Sequence, residues 1–269
     1  MLLQNILENI VSDNILHAKW LNTLSFMENA GARKISASED KEKVNLIILK
    51  HAAEEHRHAY YLKKQINKIG EGLCENYESN YLLAPNASKF YLNSLDVKVC
   101  KYLKSALNLT GANLKFAAYL LVTYAIEVRA DELYPVYQDI LTKTNAKVMV
   151  KSIIVEEEGH LEEMIHQLKS FSPDWEKHTA EACTFEAELF NGWIEKITSR
   201  IRSVWRFIVF KIRSKVVNCI RSPIILLQGE SFEILFEKGV THQSIVFYTP
   251  VRNREISKNS CRGTRCITS

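Results

Sequence analysis

The stretch HAAEEHRH, residues 51 to 58, decides the fold because it places Glu55 and His58 three residues apart in an apolar helical pattern. Residues three apart project from the same face of a helix, so this pair directs a carboxylate and an imidazole to one point. Ile48 and Leu62 lie on the same stripe, which predicts that the pair is buried. A buried carboxylate is costly unless a cation or hydrogen-bond donors compensate it. We therefore predict that the chain folds around whatever Glu55 and His58 bind.

A second pair with the same spacing, Glu157 and His160, lies in SIIVEEEGHLEEM. It shares a helical stripe with Ile153 and Met164, so the same reasoning predicts that it is buried. A third pair, Glu163 with His166, points away from that stripe by about 120° or more. We predict that this third pair is solvated.

Two further helical patterns each carry one carboxylate on an apolar face. Glu127 shares a face with Leu120 in FAAYLLVTYAIEVRADELY, and Glu28 shares a face with Leu21 in NILHAKWLNTLSFMENAGA. Four inward carboxylates and two inward imidazoles require positive charge between them. The alternative interpretation is that these side chains only form solvated helix faces.

The order of these residues resembles the ferritin-like di-iron carboxylate superfamily, in which two helices supply one Glu each and two others supply Glu-x-x-His. The resemblance covers roughly residues 1 to 170. It implies an all-α, ferritin-like four-helix bundle with a long crossover and extra helices. It also implies metal ligation by Glu28, Glu55, His58, Glu127, Glu157 and His160.

The resemblance implies two iron ions as cofactors, with manganese as an alternative metal. The expected reaction is oxidation or oxygenation of a small organic substrate by O₂, with an electron-donor protein as a further partner. Glu55 and Glu157 are expected to bridge the metals and to be catalytic. Tyr124 is a candidate for donating electrons or hydrogen bonds, as are Tyr61 and Tyr134, and the alternative is that all three are core aromatics.

His51, Arg57 and Asp131 are candidates for orienting the metal ligands. Two other functions stay open for the chain. One is iron handling, as a ferroxidase or a peroxide-detoxifying ferritin-like protein. The other is a helical effector or scaffold without enzymatic activity, which would use the basic C-terminal segment for its contacts.

Composition supports a helical protein with an appendage. Nine Gly and five Pro in 269 residues are few for an all-β architecture. Residues 196–269 carry 14 basic and 4 acidic side chains, whereas residues 1–195 are acidic overall. We therefore predict a di-iron helical domain over 1–195 and a basic appendage over 196–269.

Within the appendage, residues 196–221 predict a basic amphipathic helix. Such a helix suits an anionic membrane surface, nucleic acid, the acidic bundle or a second subunit in a homodimer. The runs IILLQ, SFEILF and SIVFYT predict short β-strands, and residues 250–269 are expected to be disordered. Scattered Cys residues, the lack of a basic leader and the lack of a long apolar run predict a cytoplasmic protein, with peripheral membrane contact as an alternative.

Start and stop signals predict the helix boundaries. The first helix is expected over 3–33, the second from Ser36 or Ser38 to Ile69, and a further helix over 88–108. A third is expected from Gly111, interrupted at Pro135, a fourth from Asn145, and a fifth after Ser172. If the chain turns between the first and second of these predicted helices, the distances of Glu28 and Glu55 from that turn, measured along the helix axes, differ by roughly 10 Å.

Overall fold

The computed structural model describes the backbone of residues 2–40, 42–219, 224–228, 231–238 and 241–248, and the side chains of 3–40 and 42–203. The chain divides into two compact units, Met1–Ile208 and Val209–Ser269. The predicted disorder of 250–269 lies outside the described residues, and the predicted division at 195 stays a prediction.

Helices dominate the described chain, which confirms the predicted helical class. The short 3₁₀ helices are Ile66–Lys68 and Ser79–Tyr81. No helix in the described residues is both long enough and apolar enough to cross a membrane. The α-helices are α1 Leu2–Val11, α2 Asn14–Ser38, α3 Leu46–Gln65, α4 Pro85–Leu107, α5 Gly111–Lys143, α6 Lys151–Phe171 and α7 Trp175–Cys219.

The second unit contains three strands, β1 Ile224–Gln228, β2 Ser231–Lys238 and β3 Thr241–Tyr248. They form an antiparallel sheet in the order β1-β2-β3. Ile234 of β2 pairs with Ile225 of β1 and with Ile245 of β3. Consecutive antiparallel strands need only tight connections, which is how the chain fits three strands into so short a segment.

Two helix pairs form the centre of the first unit. α2 packs closely against α3, and α5 packs closely against α6. The connection between the pairs contains α4, which packs on α5 and α2, in agreement with the helix predicted over 88–108. Trp193 of α7 stacks on Trp20 at 5.6 Å and on Tyr91 at 5.8 Å between ring centroids, so aromatic rings join α7 to α2 and α4.

The predicted first helix is divided, because α1 ends at Val11 and α2 begins at Asn14. The carboxylate of Asp13 accepts the backbone N–H groups of Ile15 and Leu16, each at 2.9 Å. Asp competes well for such cap positions, since its side chain satisfies donors that the helix leaves free. The prediction of one continuous helix over 3–33 was wrong because it overlooked this cap.

The turn between α2 and α3 also differs from the prediction. α2 continues to Ser38, and α3 begins at Leu46 with Asn45 as its N-cap, accepting the N–H of Ile47 at 2.9 Å. Counted from these ends, Glu28 lies about 15 Å down α2 and Glu55 about 14 Å up α3. The expected height difference of roughly 10 Å therefore does not exist.

Pro135 does not interrupt α5, which runs unbroken from Gly111 to Lys143. Proline removes one backbone donor, but Pro135 lies on the exposed side, while its neighbours Tyr134 and Tyr137 are buried and hold the turns on both sides. Asn145 has a positive φ of 51° and belongs to the connection after α5. The fourth bundle helix, α6, therefore starts at Lys151 and not at Asn145.

Candidate metal centre

Four helices bring the six predicted ligand side chains together in the interior. α2 supplies Glu28, α5 supplies Glu127, and α3 and α6 supply the two Glu-x-x-His pairs. Glu28 is partly buried, and the other five residues are at most 7% exposed. Since such burial is costly for charged groups, the cluster must be stabilised by a cation, by protons or by hydrogen bonds.

The cluster contains two overlapping sets of ligand atoms, and the atoms of each set lie within 4.8 Å of one another. Both sets include Glu55 and Glu157, one from α3 and one from α6. The first set is completed by Glu28 and His58, and the second by Glu127 and His160. Each set has three carboxylates and one imidazole, so these buried residues could hold a metal ion in either position, with two carboxylates in common.

Both histidines turn the same ring nitrogen toward the carboxylates. Nδ1 of His58 lies 3.1 Å from Oε1 of Glu157 and 3.8 Å from Oε2 of Glu55. Nδ1 of His160 lies 3.2 Å from Oε2 of Glu157 and 3.6 Å from Oε1 of Glu127. The two Nδ1 atoms are therefore the nitrogens available to the cluster.

The other nitrogen of each histidine is held by an outer carboxylate. Nε2 of His58 lies 2.7 Å from Oε2 of Glu156, and Nε2 of His160 lies 2.6 Å from Oε2 of Glu54. A carboxylate can only accept, so in the neutral rings Nε2 carries the hydrogen and Nδ1 keeps its lone pair. Outer carboxylates of this kind orient metal-binding histidines. Arg57 contacts Glu156 and thereby holds one of them.

One buried atom of the cluster lacks a hydrogen-bond partner. Nδ1 of His58 is close to Glu157 but not aligned with it, and no other described residue bonds to it. Buried polar atoms are normally hydrogen-bonded, so an orphan needs a physical reason. A neutral imidazole whose Nδ1 lone pair faces the carboxylates of Glu157 and Glu55 fits a metal ligand.

In the absence of a cation, protons hold the cluster together. Burial alone would lower the pKa of His58, but the nearby carboxylates of Glu157 and Glu55 outweigh it and raise that pKa to about 12. For His160, burial is likewise outweighed, chiefly by Glu157, and the pKa rises to about 9. Burial, reinforced by the charge of Glu157, raises the pKa of Glu127 well above its usual value. A cation entering this site must therefore displace protons.

Glu28 and Glu157 complete this picture with opposite shifts. Burial and then the nearby charge of Glu55 raise the pKa of Glu28 well above its ordinary value. Burial would also raise the pKa of Glu157, but hydrogen bonds from Glu127 and His160 and the nearby charge of His58 outweigh it and lower that pKa. Glu157 is therefore the carboxylate that stays charged and organises the donors around it.

His51, a candidate for orienting the ligands, lies beside the cluster and is fully buried. Its Nε2 bonds to Glu163 at 2.9 Å and its Nδ1 to the Tyr119 hydroxyl at 3.0 Å. Its ring centroid is 4.7 Å from that of His160, so it packs directly on a candidate ligand. As predicted, His166 is exposed, whereas Glu163 is only partly exposed and accepts from both His51 and Lys50.

The tyrosine that meets the carboxylates is Tyr134, whose hydroxyl donates to Oε1 of Glu28. The structure does not bring Tyr124 to the cluster: it is half-buried, and burial and then Cys183 of α7 raise its pKa. Tyr61 donates to the carbonyl of Met149 at 3.0 Å. The physical reason is helical phase, since a residue seven positions from Glu127 returns closer to its direction than one three positions away.

Asp131 is exposed, so the structure does not place it among the residues that orient the ligands. Sequence reasoning missed Glu54 and Glu156, which perform that task. A signal was present, because a Glu directly precedes the ligand Glu in both pairs. Neighbouring residues on a helix differ by about 100° in direction, so these carboxylates reach across to the opposite helix.

An apolar cavity of about 350 Å³ adjoins the cluster. The ligand candidates Glu28, Glu55 and Glu127 form part of its lining, and most of the remaining wall is aliphatic or aromatic. Pockets of this size suit small organic ligands. Comparisons with protein-family models, with curated proteins and with solved structures find no match to this chain.

Proposed function

We propose that this protein is a di-metal oxidoreductase of ferritin-like architecture that uses O₂ to oxidise an organic small molecule. The observation that carries the proposal is the pair of overlapping ligand sets, which share Glu55 and Glu157 and lie in the interior. Three carboxylates and one imidazole in each set suit iron or manganese better than zinc, which favours closed sites richer in nitrogen or sulfur. Two bound iron ions would supply the redox chemistry of O₂ activation.

The roles of the residues follow from their positions. Glu55 and Glu157 belong to both sets and would bridge, while Glu28 and Glu127 would each bind at one position. His58 and His160 would each bind a metal ion through Nδ1. Their Nε2–H groups already donate to Glu156 and Glu54, respectively. These contacts fix the ligand directions before any ion arrives, which lowers the cost of binding.

The cavity supports an organic substrate over iron handling. Its wall contains the cluster carboxylates on one side and chiefly apolar side chains elsewhere, which is the chemistry of an organic ligand and not of a hydrated ion. Apolar walls also exclude water from the reacting groups. Tyr134, which donates to Glu28, lines the same cavity and can hold a proton at that carboxylate.

Metal analysis of the purified full-length chain tests the proposal. From iron-replete medium we expect close to two iron ions per chain, and O₂ consumption when a reductant is supplied. His58→Ala is expected to lower the iron content, because it removes the only imidazole of the first set. His166→Ala is the matched control, since His166 is exposed on α6.

A chain without metal, or one in which both His variants retain wild-type iron, would refute the metal centre. The reaction class has its own readout. Many Fe(II) ions oxidised per chain without any organic product would favour the ferroxidase alternative. Unchanged biological activity in a chain that has lost its iron would favour the non-enzymatic alternative.

Metal affinity is expected to increase as the pH rises from about 6 to about 9. The pKa of His160 is raised to about 9 and that of His58 to about 12, so both rings carry a proton at neutral pH that a cation must displace. Raising the pH removes that competition. Calorimetric titration of Mn²⁺ at pH 7 in two buffers of different ionisation enthalpy measures the released protons. Equal heats in the two buffers would contradict this expectation.

A further inference from the structure

The shape of the cavity restricts the substrate. Its lining follows α5 from Lys115 past Glu127 to Tyr134, about 28 Å along the helix axis, and follows α2 from Ser38 past Glu28 to Leu24, about 21 Å. A volume of about 350 Å³ spread over that length makes the cavity an elongated channel. An extended hydrocarbon chain matches this elongated shape.

Most of the wall between the two ends is apolar. Leu92 and Leu95 of α4 face the cavity together with Ala118, Val122 and Ile126 of α5. Side chains of this kind offer no hydrogen bonds to a polar ligand, so burial of hydrocarbon is the interaction that they can supply. The middle of the ligand must therefore be apolar.

Charged groups of the lining outside the cluster differ in whether they are already paired. Lys34 forms an ion pair with Asp96, and Arg129 forms one with Glu186. Lys115 is exposed at the end of the cavity far from Glu127 and forms no ion pair with any described residue. Its ammonium group is therefore available to a ligand.

Asp40 is close enough to Lys115 for their charges to interact, but other groups already bind the Asp40 carboxylate. Its carboxylate accepts the backbone N–H groups of Glu42 and Lys43, each at 2.9 Å. Lys115 is thus free to meet an anion at the mouth of the channel.

We propose that the cavity binds an unbranched amphiphile, with a single hydrocarbon chain along the channel and an anionic head group at Lys115. The far end of the chain would then lie beside Glu28 and Glu127, where the proposed chemistry occurs. Lys115 and Glu127 are about 18 Å apart along α5, and an extended chain advances about 1.2 Å per bond, so a chain of about a dozen carbons together with the Lys115 side chain spans this distance. This inference rests on the proposed function, because it names the substrate class of the same site.

Binding of dodecanoate to the iron-loaded full chain, below its micellar concentration, tests the channel. Gly31 lines the cavity, and a Cβ placed there meets no atom within 4 Å, so Gly31→Leu puts its side chain into the channel. We expect at least tenfold weaker binding in calorimetry. Gly192→Leu is the matched control, since Gly192 is equally unobstructed but lies outside this cavity. Ala118→Phe blocks the channel from α5 and is expected to act like Gly31→Leu.

The head group is tested by charge reversal. Wild-type protein is expected to prefer dodecanoate to dodecylammonium, and Lys115→Glu is expected to reverse that preference. Lys147→Glu makes the same charge change at an exposed position outside the cavity and should leave the preference intact. Wild-type binding by Gly31→Leu and Ala118→Phe together, or an unchanged preference in Lys115→Glu, would overturn the inference.

Iron content, measured on the same samples, separates this inference from the proposed function. A wild-type chain that holds iron but does not bind dodecanoate would overturn the amphiphile site and leave the metal centre standing. A chain that binds dodecanoate with the expected dependence on Gly31 and Lys115 but takes up no iron would support the channel and refute the oxidoreductase.

Discussion

Glu157→Ala is expected to reduce the metal content from two ions per chain to none. Glu157 belongs to both ligand sets, lies within 3.2 Å of Nδ1 of both histidines and carries the lowered pKa of the cluster. Its removal therefore takes one ligand from each position and the charge that organises both. Metal analysis of the purified variant after growth in iron-replete medium measures the effect.

The single-set ligands provide the comparison for this result. Glu28→Ala leaves the set that contains Glu127 and His160 intact, so about one ion per chain is expected to remain. Glu158→Ala is the matched control, because Glu158 is the exposed neighbour of Glu157 on α6. If Glu157→Ala kept as much metal as Glu158→Ala, the interpretation of Glu157 as a shared ligand would be wrong.

Arg129→Met is expected to lower the free energy of unfolding by about 3–5 kcal/mol, because it leaves a buried charge without its partner. Arg129 contacts both oxygens of Glu186, with Nε 3.0 Å from Oε1 and Nη2 2.7 Å from Oε2. Glu186 is only 2% exposed and also accepts from the Tyr91 hydroxyl. The guanidinium group lies 4.1 Å from the ring centroid of Phe190, so packing is lost as well. Urea unfolding followed by circular dichroism measures the change.

Lys98→Met is the matched control for this ion pair. Lys98 also pairs with a glutamate of α7, Glu188, but both side chains are exposed, and such surface pairs contribute at most about 1 kcal/mol. The double variant Arg129→Met with Glu186→Gln keeps an acceptor for Tyr91 and removes the charge. It is expected to be more stable than Arg129→Met alone. Equal stability of Arg129→Met and Lys98→Met would contradict the argument.

The six ligand candidates could be predicted from the sequence because two independent signals agree on them. Their spacing gives a common helical face, and their position on an apolar stripe makes burial without compensation too costly. The structure brings all six together, including Glu28, whose predicted height was in conflict with Glu55. That conflict came from the misplaced turn, and the caps at Asp13 and Asn45 show where the chain changes direction.

Other parts of the site depend on contacts between helices that are distant in sequence. Glu54 and Glu156 look like ordinary solvated residues until the opposite helix places an imidazole within reach. The choice of Tyr134 over Tyr124 depends on how α5 is rotated toward α2. The cavity is lined by small residues such as Gly31 of α2 and Ala118 of α5, and periodicity in a single helix does not reveal that such residues share a cavity.

Side-chain contacts between α3 and α6 fix the register of the two helices along their axes. His51 meets Glu163, Glu54 meets His160, and His58 meets Glu156, so the residue numbers rise on one helix as they fall on the other (51–58 against 163–156). Sliding either helix by one turn, about 5.4 Å, would separate all three pairs at once. The buried imidazoles would then lack hydrogen-bond partners. The antiparallel register of the two helices is thus selected by the same side chains that aim the ligands, and a misaligned bundle is penalised before any ion is present.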